Sequence, residues 1–212
     1  MATRHFRRLT IGIVLLVAAG HAGEPARSES QQRPPLVVRG ATLIDGTGAT
    51  PRPNVDIFVQ DGRIAAIGAG QKVPGGTTEI DARGAWVVPG LIDVHVHLDA
   101  RVVFQISDGE RARIVEHTPK AFLYNGVTTV LNVSVASPAE WIFDLRARQR
   151  DGRVLAPRIY ATGGSITPEG GWGSRHGGAL TDAATVRATV KGYVAQGADA
   201  VKIVIEDGLG GS

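Results

Sequence analysis

Cysteine is absent from all 212 residues. The chain therefore has neither a disulfide framework nor a thiolate metal site, and any metal it holds must rest on His, carboxylate or modified Lys. Long hydrophobic runs are also missing, since the apolar stretch from Leu9 to Ala19 is too short for a comfortable membrane span. Excess charge is equally scarce. Of 23 Lys plus Arg, three (Arg4, Arg7 and Arg8) precede residue 23, and the remaining 20 are matched by 20 Asp plus Glu, so the sequence carries no nucleic-acid footprint. What is there is an ordinary globular composition, 43% hydrophobic and 20% charged, sufficient to bury a core.

Residues 1–22 read as a secretory signal. Arg4, Arg7 and Arg8 make the basic region, Leu9 to Ala19 the apolar region, and Gly20-His21-Ala22 a small-x-small cleavage site. This order predicts an exported chain, periplasmic or extracellular, that begins near Gly23 and is free of membrane after cleavage. An uncleaved anchor and a twin-arginine signal at Arg7-Arg8 are the alternatives. Residues 23–35, rich in Glu, Ser, Gln, Arg and Pro, read as a flexible leader.

Residues 36–88 change to short β-type runs separated by turn residues. Leu36 to Arg39 and Thr42 to Ile44 read as two strands. Val55 to Gln60 and Arg63 to Gly68 form a hairpin about Asp61-Gly62. Glu79 to Asp81 and Trp86 to Val88 follow the Pro74-Gly75-Gly76 loop. Nothing in this segment has catalytic spacing.

Residues 89–212 alternate strand and helix signals, as a parallel βα architecture requires. Glu110 to Tyr124 predicts a helix and Gly126 to Leu131 a buried strand. Ser137-Pro138-Ala139-Glu140 opens a second helix with serine as N-cap and Glu140 as its capping-box partner. Arg158 to Ala161 is a strand, Thr181-Asp182 opens a helix through about Gln196, and Ala200 to Val204 is a further strand. Strand starts at 91, 127, 158 and 200 are 36, 31 and 42 residues apart, close to the roughly 31 per unit of a closed (β/α)8 barrel. About four βα units are thus present, half of a TIM barrel, and the chain reads as an N-terminal fragment of a longer protein. The alternative fold, a doubly wound open sheet, lacks a dinucleotide fingerprint after its first strand.

Pro89 to Leu98 is an apolar strand with two imidazoles at its far end. Side chains alternate faces along a strand, so His95 and His97 point the same way, with Asp93 behind them, and offer two neutral nitrogens to one metal ion. A buried pair bonded to backbone, or two solvent-facing histidines on an edge strand, would have the same spacing. Active sites of βα barrels lie at the C-terminal ends of strands, where His95 and His97 fall on the first strand and Lys202 on the fourth.

The stretch Pro89-Gly90-Leu91-Ile92-Asp93-Val94-His95-Val96-His97 resembles the first barrel strand of the metal-dependent amidohydrolase superfamily. Its flanks are most similar to the imidazolonepropionase and prolidase-like branch. The resemblance implies an α/β fold, a partial TIM (β/α)8 barrel preceded by a small β-sandwich over residues 36–88. Gly197 to Ile203 resembles the family segment whose lysine, here Lys202, is carboxylated by carbon dioxide to a carbamate bridging two metal ions. Burial lowers a lysine's pKa, and the free amine can become a carbamate, whereas a surface lysine or an ion-pair partner would not.

By the same resemblance the metal ligands are His95, His97 and Lys202, and the cofactors are two divalent ions, with zinc favoured, plus carbon dioxide as the lysine carbamate. The implied reaction is hydrolysis of an amide, cyclic amide or dipeptide C–N bond through a metal-activated hydroxide. The substrate is a small molecule or dipeptide, and a homo-oligomer is compatible with the chain. Two further histidines and an aspartate of the family's set have no counterpart in these 212 residues. Relatives often read Gly-Gly-His-Gly where this chain has Gly171-Trp172-Gly173, with His176 nearby in the loop, and Val-Arg-Asp where it has Val130-Leu131-Asn132. The second departure bears on the wall of the substrate pocket. Asp99 and Glu206 lie near strand ends but read as solvated loop carboxylates. The alternative function is a truncated, non-catalytic remnant that at most binds metal through the His-x-His pair.

Overall fold

The computed structural model describes residues 34–98, 107–133, 139–167, 169 and 182–204. The signal, most of the leader, Asp99, Trp172, His176 and Glu206 lie outside them. The chain forms two compact units, one running to Ile44 and resuming over Thr50–Val87, the other comprising Asp45–Ala49 and the chain from Val88 onward.

The first unit is a five-stranded sheet of β1 (Leu36–Leu43), β2 (Arg52–Gln60), β3 (Arg63–Gly68), β4 (Thr78–Asp81) and β5 (Trp86–Val87). Its order is β3-β2-β1-β4, with β5 also on β1. β1 and β2 are antiparallel with Val37 opposite Phe58, while β4 and β5 run parallel to β1. Asp61 and Gly62 both adopt positive φ (50° and 73°), the requirement of the twist-matched two-residue hairpin turn. Val37, Ala41, Leu43, Val55 and Ile57 are buried, whereas Ile64, Ile80 and Trp86 are exposed.

The two runs expected at Leu36–Arg39 and Thr42–Ile44 are one strand, β1. A register shift between Val38 and Ala41 absorbs the turn-like Arg39-Gly40 pair. The buried Asp56 makes this possible, because its carboxylate accepts from Gly40 N–H at 3.0 Å and so replaces a ladder bond.

The second unit begins with β6 (Leu91–Val96), followed by α1 (Asp108–Tyr124), β7 (Val127–Asn132), α2 (Glu140–Arg150), β8 (Arg158–Ala161), β9 (Ser165–Ile166), α3 (Ala183–Ala195) and β10 (Lys202–Ile203). β6, β7 and β8 form a parallel sheet in sequence order, and β9 pairs in parallel with β10. From β6 to β8 strand and helix alternate, with parallel neighbours, as the sequence predicts, whereas β9 follows β8 with no helix between. The core lies where α2 packs on the sheet, and joins Val96, Leu98, Val130, Ile142, Leu145, Ile159 and Ala161. Removing each Val, Leu or Ile side chain of this set from water contributes about 1.5–3 kcal/mol. Gly90, just before β6, has a packing reason: a Cβ there would lie 2.1 Å from Thr128 Oγ1 and 2.7 Å from Thr128 Cβ.

Three local expectations are corrected. The second helix starts at Glu140, after Ala139, which is in αR conformation and makes no side-chain cap; Ser137 and Pro138 lie outside the described residues. The capping box expected between Ser137 and Glu140 falls on a residue outside the described ones; Glu140 accepts from Gln196 Nε2 at 3.4 Å. The stretch after Ala161, whose glycine content predicts a loop without regular structure, contains a strand, β9, because Ser165 and Ile166 find partners in Lys202 and Ile203. The last strand is correspondingly short. By contrast, Asp182 caps α3 as expected, its carboxylate accepting from Ala184 and Thr185 N–H at 2.8 and 2.9 Å.

Candidate metal centre

Alternation along β6 places Val96 in the core beneath α2 and turns its neighbours to the opposite face. His95 is exposed and His97 half-buried. Their ring centroids lie 5.4 Å apart with an interplanar angle of 67°. Leu131 and Tyr160, each flanked by buried residues on its own strand, alternate onto this same open face. Asp93 turns its carboxylate back to accept the His95 backbone N–H at 3.0 Å, so it braces the backbone of the histidine stretch.

The end of β6 is fixed from the buried side. Asn132, fully buried, accepts the Leu98 N–H through Oδ1 at 2.7 Å, and Val133 N–H donates to the Val96 carbonyl at 3.0 Å. His97 lies between these two attachment points. A single backbone level then runs across the unit: Thr162 N–H donates to the Asn132 carbonyl at 3.2 Å and Asp199 N–H to the Ala161 carbonyl at 2.8 Å. His97 follows Val96 by one residue at this level, and Lys202 follows Asp199 by three.

The imidazole pair suits a divalent ion. With Zn–N bonds of about 2.0–2.1 Å and tetrahedral angles, two imidazole centroids around one ion lie roughly 5 Å apart. The observed 5.4 Å lies close to that figure and equally within the about 4.5–7 Å of an ordinary aromatic edge contact. Among the described residues no group of three His, Cys, Asp or Glu side chains clusters. The structure brings His95 and His97 together and sets Lys202, half-buried, opposite Ser165 on β10.

Asn132, Asp199 and Arg146 were not anticipated as structural determinants of this region. Asn132 is buried on the α2 side and holds backbone, so it is not a pocket-wall residue on the open face. Asp199 accepts from the Ala161 N–H at 3.0 Å and from the Arg146 guanidinium. Only the position of Asp199 within the lysine-bearing segment gave any sign of it in the sequence.

A parallel βα unit with a histidine pair at the end of its first strand places this part of the chain among the parallel βα proteins. The sequence pattern of the Amidohydrolase family matches residues 86–208, more than half of the chain, and the chain belongs to that family. A dihydroorotase from Geobacter metallireducens is 44% identical over 63 residues, covering 30% of this chain and 15% of that protein. Among solved structures, phenylurea hydrolase B is similar at 27% identity with a TM-score of 0.65, covering 80% of this chain and 45% of that one. A Xaa-Pro dipeptidase with methionine bound in its active site has a TM-score of 0.67 at 24% identity, covering 80% of this chain and 46% of that one. The fold is α/β and TIM-barrel-like. The chain spans less than half the length of these solved structures and a smaller share of the curated relatives.

Proposed function

We propose that this chain supplies the first part of the active site of a metal-dependent hydrolase acting on carbon–nitrogen bonds. The observation that carries the reading is the His95–His97 pair, 5.4 Å apart at the C-terminal end of the first parallel strand, in a member of the amidohydrolase family. His95 and His97 would hold one divalent ion and Lys202, as its carbamate, would bridge to a second. Zinc suits this nitrogen and oxygen donor set. When bound, such ions polarise a scissile carbonyl and lower the pKa of water toward neutrality.

The remaining work falls to the protein. Asn132 and Val133 orient the histidine backbone, the α2-facing core keeps water from one side of the sheet, and the open face receives the substrate. The names dihydroorotase, phenylurea hydrolase and Xaa-Pro dipeptidase support an amide, cyclic amide or dipeptide as the substrate class.

The wider architecture follows the same reading. Residues 89–212 form the N-terminal half of the barrel, with four βα units. Residues 36–88 would be the small β-sandwich, residues 1–22 an export signal and 23–35 a leader, and the basic, apolar and small-residue order of 1–22 supports a mature protein outside the cytoplasm. No helix among the described residues is long and apolar enough to cross a membrane. The test is metal content and turnover of the purified full-length protein against a panel of dipeptides, cyclic amides and ureas. About two divalent ions per chain and C–N hydrolysis are expected. A protein that binds no metal stoichiometrically and turns over none of the panel is the non-catalytic remnant instead.

A further inference from the structure

We infer that Asp199, held by Arg146, is a positioning residue that sets the register of the strand bearing Lys202. The proposal rests on the reading of Lys202 as a metal-bridging carbamate. β10 is only two residues long, and its own ladder is Lys202 against Ser165 and Ile203 against Ile166. Period-two strands tolerate no slip, because a one-residue shift turns every side chain to the opposite face. Two rungs are a weak guarantee against such a slip, and the chain adds a second anchor three residues earlier.

That anchor is double. Asp199 donates its backbone N–H to the Ala161 carbonyl at 2.8 Å and accepts the Ala161 N–H on its carboxylate at 3.0 Å, so one residue grips both backbone groups at the end of β8. Its carboxylate also receives the guanidinium of Arg146, whose side chain is 8% exposed and lies with Cζ 5.0 Å from the centre of the Phe143 ring. Arg146 is on α2, so the ion pair ties the approach to β10 to the helix that forms the core. A buried guanidinium without its carboxylate is strongly unfavourable, which locks Asp199 in place.

The two anchors also fix an offset. Ala161 pairs with Asp199, and Ser165 pairs with Lys202, so the β8–β9 side spends one residue more than the β10 side between the same two levels. Gly163, at φ 73°, takes up that residue, and Tyr193 of α3 fills the space beside it: a Cβ on Gly163 would lie 2.8 Å from Tyr193 Cδ1. The bulge cannot move along the strand without displacing the ring. Lys202 is thereby presented at one height and on one face.

Carbamylation needs this placement. The neutral amine's lone pair attacks the carbon of carbon dioxide, an N–C bond forms as one C–O π bond breaks, and the nitrogen releases a proton to water. A lysine turned to the other face could form the same carbamate but could not share it with ions held by His95 and His97.

The experiment strips metal from the full-length protein and measures zinc bound per chain against bicarbonate concentration, with the melting temperature recorded alongside. Asp199→Ala should raise the bicarbonate needed for half-loading about tenfold or more, as loss of a charge-assisted hydrogen bond implies. Asp199→Asn, which keeps an acceptor for the Ala161 N–H, should recover part of the shift. Ile159→Val, a core substitution, should lower the melting temperature and leave the bicarbonate requirement unchanged. Lys202→Ala separates the two layers: wild-type loading there removes the ligand reading itself. If Lys202→Ala loses metal while Asp199→Ala loads at the wild-type bicarbonate concentration, or if Ile159→Val shifts that concentration as far as Asp199→Ala does, the positioning proposal is overturned. Should Asp199→Ala fail to fold, an unchanged requirement in Asp199→Asn overturns it.

Discussion

The side-chain oxygen of Asn132 sits 2.7 Å from the backbone nitrogen of Leu98, joining the last residue of β7 to the residue after His97 inside a fully buried environment. The bond satisfies an N–H that has left the β ladder. Asn132→Ala should leave that donor unpaired and cost about 1–3 kcal/mol in denaturant unfolding of the full-length protein. It should also lower zinc affinity, because His97 is held between the Val96 and Leu98 attachments. An alanine variant with unchanged affinity would mean that the histidine stretch is held by β pairing alone.

A second expectation concerns acid. Burial opposes ionisation of Asp56, yet the Gly40 N–H, the Arg39 guanidinium and the Gln71 N–H together hold its pKa below the usual carboxylate range. Glu79 is held low as well, by its hydrogen bond from Arg39. A depressed folded pKa means that the stabilisation is complete above the unfolded value of about 3.9 and is lost as pH falls through the folded value. Wild-type melting temperatures should therefore fall between about pH 5 and pH 2. Asp56→Asn should melt lower at neutral pH and lose less on acidification. An acid limb identical to wild type would show that other carboxylates govern it.

Much of this arrangement was legible because it is local. Alternation from Leu91 to His97 announces a strand with paired imidazoles, the spacing of apolar segments announces parallel βα units, and Asp182 announces a helix start. The parts not legible are interactions across long sequence separations. Asn132 meets Leu98 across 34 residues, and Asp199 meets Ala161 across 38 and Arg146 across 53. Single-residue propensity carries no information about such partners. β9 was hidden for the same reason: Gly163-Gly164 signals a loop, and only the partner strand makes Ser165-Ile166 extended. The joining of the two runs in β1 likewise depends on Asp56, 16 residues away from Gly40.

The close approach of Gly90 to Thr128 gives a third test. Gly90→Ala should strain the start of β6 and destabilise by about 1–3 kcal/mol, the usual cost of overpacking. Rotating Thr128 cannot relieve it, since the Thr128 Cβ itself would be 2.7 Å away. Thr128→Gly in the same chain should therefore recover much of the loss, while Thr128→Ser should recover little. Equal melting temperatures for Gly90→Ala and wild type would refute the packing account.

The last prediction asks whether the histidine pair is a ligand set or merely a pair of neighbouring rings. If one ion sits between His95 and His97, each substitution to Ala should reduce zinc in the full-length protein by about one equivalent and weaken the remainder, since a three-ligand site minus one imidazole lies far from closed tetrahedral coordination. The His95 change should not disturb the fold, because His95 is exposed and the core lies on the other face of β6. The melting temperature of metal-free protein should thus stay near wild type, while the gain in melting temperature on adding zinc should shrink, as linkage requires of a ligand that binds the native state. Lys202→Ala should behave in the same way and, unlike the histidine variants, should no longer respond to bicarbonate. Atomic absorption with paired melting curves reads all of these. Full zinc content in both histidine variants would make the 5.4 Å ring contact an aromatic one and nothing more.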